Sequence, residues 1–294
     1  MSRWLLFLSG LPWYARLPVK WLVFAVTVLL VCYPNPRLLR RHLEHWRDPD
    51  RLIEPDAREL EPLWEELRPK VAPELAGPQA LKVVEKYVYD RIPYAWDWDT
   101  WGAADYLPTL AEVIEKGRED CDGRAVVAAS LLRRLGFQAQ IVTDLGHVWV
   151  KTDQGETMGP GKVKVVVATA EGVRVQEGAW KQVARAVAYG IAPFPLVREL
   201  IVLGVLWWLL LRPGGGALCA SAALVLLLNG LIILRLAGAD YRNPNVAMQM
   251  AGLLNVLGAL AVLLVWGPRR VRRAANAANG AACSPSSVGL PRPM

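Results

Sequence analysis

The chain has 294 residues, 53% of them apolar and 21% charged, with a formal net charge of +7. This mixture is too apolar for an ordinary water-soluble domain and too charged for a pure membrane bundle, so one domain plus membrane segments is expected. The basic excess does not point to nucleic acid. The sequence carries no nucleic-acid motif, and its arginines flank apolar runs as membrane anchors do: Arg37, Arg40 and Arg41 after one run, Arg269, Arg270, Arg272 and Arg273 after another.

In chain order, residues 17–33 form the first apolar run, just long enough to cross a bilayer at about 1.5 Å per residue. Basic residues precede it and no small-x-small cleavage site follows, the pattern of a retained signal anchor. Residues 1–36 are therefore read as a membrane anchor and 37–195 as a water-facing domain. Within that domain, helices are expected over 56–70 and 78–89, a loop over the aromatic and acidic stretch 94–102, and short and long helices over 110–116 and 121–135. Strands are expected over 137–143 and 148–152. Asp153-Gln154-Gly155 makes the turn into a return strand over 156–158, and 163–168 and 173–175 add two more strands. A helix over 179–189 closes the domain. Residues 196–267 read as three transmembrane helices, with Asn229 and Asn255 suited to pairing two of them. The remaining 268–294 read as a basic, disordered tail.

Four spans put both termini on one side of the membrane and the domain on the other. The arginines at 269–273 favour cytoplasmic termini and a non-cytoplasmic domain. Arg37, Arg40, Arg41 and Arg47 argue the other way, with less weight because the loop they open is long.

The chemistry concentrates in residues 115–152. Cys121 opens a helix, a strand follows, and His147 opens the next strand. A thiolate is a far better nucleophile than a thiol, and the positive end of a helix favours it. A histidine within reach takes the thiol proton and later returns it to the leaving group, while backbone N–H groups of the same helix turn can receive an oxyanion. Cys121 is the lone cysteine of residues 37–195, so that domain holds no internal disulfide. A core cysteine would not choose the neighbours Glu119, Asp120 and Asp122, although these acids also oppose thiol ionisation. His42 and His45 read as solvated or interfacial, and Trp96, Trp98 and Trp101 suit a substrate groove or a packed rim equally.

Cys121 opening its helix, Leu131-Leu132-Arg133 and Leu135-Gly136 at the helix end, and His147-Val148-Trp149-Val150 on a strand resemble the transglutaminase-like superfamily of papain-like thiol hydrolases. With Asp99, Trp101-Gly102, Asp105-Tyr106 and Glu112 upstream, the stretch 87–160 is similar to the bacterial transglutaminase-like cysteine proteinases. The resemblance implies an α+β fold, a helix bearing Cys121 packed on an antiparallel sheet bearing His147, and the apolar runs add about four transmembrane helices. It implies a membrane-held cysteine peptidase or amidase with a peptide or protein substrate. No cofactor is required, but acids flanking the cysteine bind calcium in that proteinase group, which would make Asp120 and Asp122 ligands. One departure stands out: where the superfamily places an Asp to orient the histidine, this chain has Gly159. Asp153 and Glu156 are the nearby acids that could replace it, or the domain has become a binding module without turnover.

Overall fold

The computed structural model describes residues 12–71, 77–143, 147–159, 166–169, 172–175, 185, 187–210, 217–238 and 245–266. Helix α1 (Trp13–Cys32) covers the first apolar run. The chain breaks at Tyr33-Pro34-Asn35 and turns by 86° into α2 (Pro36–Arg47). Asn35 caps α2 by accepting from the Arg37 N–H, with Pro36 in the first turn. The expected helix over 56–70 is shorter, α3 (Glu61–Leu67) between two 3₁₀ turns. Pro62 and Pro69 explain this, because each tolerates a helix start but not a helix interior. Helix α4 (Gly77–Arg91) follows, then the single turn α5 (Asp97–Thr100), which replaces part of the expected loop.

α6 (Leu110–Lys116) begins with a capping box between Thr109 and Glu112 and stops at Gly117, whose φ of 65° is left-handed. α7 (Cys121–Arg134) is the central element. Its residues from Gly123 to Leu132 are all buried, and it packs between α4 and the sheet β1 (Gln140–Thr143), β2 (Val148–Thr152), β3 (Gly155–Thr157). That sheet is antiparallel in the order β1-β2-β3, and β4 (Val166–Thr169) pairs with β5 (Gly172–Val175) separately. Leu60, Leu67, Val84, Val88, Leu131 and Trp149 form the heart of the shared core. Residues 187–191 are helical, and the rest of the helix expected over 179–189 lies outside the described residues except Arg185.

Three apolar helices close the described chain: α8 (Leu196–Leu210), α9 (Ala217–Gly238) and α10 (Val246–Trp266). Two of them, over Leu218–Gly238 and Val246–Leu263, are long and apolar enough to cross a membrane. α8 has 15 residues and falls short of that length. The expected pairing of Asn229 with Asn255 is present at 3.2 Å. Gly230 and Gly252 allow the close approach beside it, since a Cβ on Gly230 would lie 2.8 Å from the Gly252 carbonyl oxygen. The anchor's first residues and the tail over 268–294 lie outside the described residues.

Candidate active site

Local sequence fixes the start of α7. Asp120 is the N-cap and its carboxylate accepts from the Asp122 N–H at 3.0 Å. Cys121 is therefore the first helical residue, where the helix dipole is positive. Its Sγ donates to Asp122 Oδ1 at 3.2 Å and accepts from the Val148 N–H. That second bond ties the sulfur to the first residue of β2, directly after His147. Cys121 and His147 line one cleft of about 340 Å³, together with Asp97, Asp105, Asp120 and Asp122. Trp46, Tyr94, Trp96, Trp98 and Tyr189 form its aromatic walls.

No carboxylate stands at the expected position 159, and the His147 ring bonds to the backbone. His147 Nε2 donates to the carbonyl oxygen of Met158 at 3.0 Å. Met158 adopts φ 61°, the lone non-glycine residue with positive φ among those described. A carbonyl can only accept, so this bond puts the proton on Nε2. A main-chain acceptor leaves no signal in the sequence, where a side chain is expected. Asp153 instead sits in the β2–β3 turn, accepting from the Gln138 N–H at 3.1 Å, and Glu156 lies opposite Lys151 on β3. Neither acid lines the cleft.

The acids are more deeply placed than their sequence suggests. Glu119 is fully buried, with Oε1 accepting from the Trp101 indole and Oε2 accepting from the Asp120 N–H at 2.8 Å. Burial pushes the Glu119 carboxyl up to about 7, against those two hydrogen bonds. Burial, then the Glu119 charge, pushes Asp120 up to about 8. Asp97 and Asp122 are held well above the ordinary carboxylate range by burial and by their acidic neighbours. Burial, with Asp120 and Asp122 adding to it, also raises the Cys121 thiol, so the resting sulfur is protonated at neutral pH.

Among the described residues, two sets of ligand atoms each cluster within 4.8 Å: Asp120-Cys121-Asp122 and Asp97-Glu119-Asp120. Asp97 is 3% exposed; its Oδ2 accepts from the Tyr106 N–H at 2.6 Å, while its Oδ1 is buried with no partner. An orphaned buried carboxylate oxygen beside two further carboxylates fits a hard cation, which takes oxygen ligands. Asp120 belongs to both sets, whereas Asp122 is not in the one that holds the orphaned Asp97 oxygen.

Of the tryptophans, Trp96 and Trp98 line the cleft and also pack on the segment before α8: Trp96 on Tyr189 at 5.1 Å and Trp98 on Phe194 at 4.9 Å. Trp101 turns inward to Glu119. His42, read as solvated or interfacial, is buried at 6% exposure, because its Nδ1 accepts from the Leu107 N–H at 3.2 Å. His45 is half-buried, its Nδ1 bonded to the Leu107 carbonyl at 2.6 Å.

No protein-family model, no curated protein and no solved structure matches this chain.

Proposed function

We propose that this protein is a membrane-held thiol hydrolase or acyltransferase of the transglutaminase-like kind, with Cys121 as nucleophile and His147 as general base. The observation that carries this reading is the meeting of Cys121, at the start of α7, with the His147–Val148 start of β2 in one cleft. In the reaction, His147 Nδ1 takes the thiol proton as sulfur attacks an amide or ester carbonyl carbon. The tetrahedral oxyanion collapses, the C–N or C–O bond breaks, and the imidazolium proton goes to the leaving amine or alcohol. Water, or an amine, then displaces the thioester with His147 again taking a proton. A calcium ion held by Asp97, Glu119 and Asp120 would supply positive charge near the sulfur and oppose the effect of the acids on its ionisation.

Membrane anchoring by α9 and α10, with α1 and the shorter α8 beside them and the domain on the non-cytoplasmic side, completes the reading. A second reading, a binding module without turnover, draws on the raised Cys121 thiol and on Gly159. Iodoacetamide labelling followed by peptide mass spectrometry separates the two. The enzyme reading predicts Cys121 alkylation at pH 7 that falls by about 100-fold in His147→Ala. Equal rates in the two proteins would favour the binding module.

A further inference from the structure

The cleft is built against the ends of the apolar helices. The Cys32 carbonyl that ends α1 accepts from the Ala104 N–H at 2.9 Å, and Ala104 lines the cleft. Arg198, at the start of α8, donates to the carbonyls of Val31 at 3.1 Å and Gly102 at 2.8 Å, with its guanidinium 4.9 Å from the Trp98 ring centre. On another edge stands Arg235, in the last turn of α9. It donates to the carbonyls of Ala192 at 3.2 Å and Phe194 at 2.8 Å, either side of the cleft residue Pro193. A helix apolar enough to cross a membrane thus grips the rim of the cleft.

α2 approaches from the side. With α1 along the bilayer normal, an 86° turn makes the 12 residues of α2 run about 18 Å sideways and climb only about 1 Å. Leu39, Leu43 and Trp46 recur at helical spacing on one stripe, with Leu43 53% and Trp46 45% exposed. His42, His45 and Arg41 face the domain, Arg41 through Glu112 at 2.7 Å, and Arg37, Arg40 and Arg47 occupy the remaining side. An apolar stripe, basic flank and terminal tryptophan are the features of a helix lying in the membrane–water interface. Trp46 belongs both to that stripe and to the cleft.

We propose that the cleft takes its substrate from the bilayer: the reactive carbonyl belongs to the head-group region of a membrane lipid, which enters between Trp46 and Pro193 while its tails remain in the membrane. This rests on Cys121 being the nucleophile. A volume of about 340 Å³ is enough to admit a head group. Trp and Tyr side chains, which wall the cleft, are the types that settle at head-group depth.

The test uses the full chain in phosphatidylcholine nanodiscs. One reagent is a maleimide on the head group of phosphatidylethanolamine within the disc, and the other is N-ethylmaleimide in the water; Cys121 adducts are read by peptide mass spectrometry. The lipid-borne maleimide is expected to modify Cys121. Leu43→Glu, and the milder Leu43→Gln, alter the stripe away from the cleft. Leu43→Glu is expected to slow the lipid-borne reagent by about tenfold and Leu43→Gln to slow it less, with N-ethylmaleimide unaffected. Modification by N-ethylmaleimide with Cys121 spared by the lipid reagent overturns the proposal, as do unchanged lipid-borne rates in both Leu43 variants. Silence from both reagents removes the nucleophile itself, and this inference with it.

Discussion

In the proposed mechanism, the Met158 carbonyl would orient His147 as a neighbouring carboxylate side chain does. A carbonyl orients the imidazole but adds no negative charge, so it stabilises the imidazolium less than an aspartate would. The geometry depends on a left-handed φ, which β-branched residues avoid and asparagine tolerates. Met158→Val is therefore expected to slow His147-dependent alkylation of Cys121 by about tenfold. Met158→Asn should keep most of that rate, and ¹⁵N spectra of the histidine ring should still show the proton on Nε2. Gly159→Asp tests the same point from the other side. A Cβ there would meet only Trp149 carbons at 3.9 Å or more, ordinary contact, so the carboxylate can be accommodated. Faster alkylation at neutral pH is expected, and an unchanged rate would show that the missing charge does not limit the thiol.

The start of α7 combines packing and chemistry in one turn. A Cβ on Gly123 would lie 2.4 Å from Glu119 Cγ and 2.7 Å from Val113 Cγ2, so the buried Glu119 side chain lies across the helix where no other residue fits. Gly123→Ala is expected to destabilise the domain by about 1–3 kcal/mol, measured by denaturant unfolding, and to disturb the acids beside Cys121 at the same time. Much of this element was legible in the sequence. Cys121 opening a helix, the stop near Gly136 and the β1–β2–β3 meander all carry local signals of capping, periodicity and turn chemistry. α2 was not legible as a packed helix, because arginines and histidines at its exposed-looking positions mask an amphipathic pattern. His42 is buried by Leu107, 65 residues away, and the Met158 acceptor is main chain; neither leaves a mark on residue type. The depth of Glu119 was likewise invisible, since sequence shows an acid among acids.

Across the whole molecule, the raised carboxyls make stability depend on pH. Glu119 and Asp120 hold protons up to about 7 and about 8 in the folded protein, against ordinary values of 4.5 and 3.8 once unfolded. Between roughly pH 4 and 8 the folded state therefore binds more protons than the unfolded chain, and stability falls as pH rises. The melting temperature is expected to drop from pH 5 to pH 8, and millimolar calcium should restore part of it at pH 8 if the acids hold the ion. Glu119→Gln should flatten the pH dependence, and a profile as steep as the parent's would move its origin elsewhere.

The grip of Arg235 on Ala192 and Phe194 reaches beyond architecture. Cutting the polypeptide after Pro195 to obtain an easily handled water-soluble fragment would discard the guanidinium and leave two carbonyls beside the cleft without their donor. An assay on such a fragment would report on a slackened rim, and a negative result from it would say little about the intact protein.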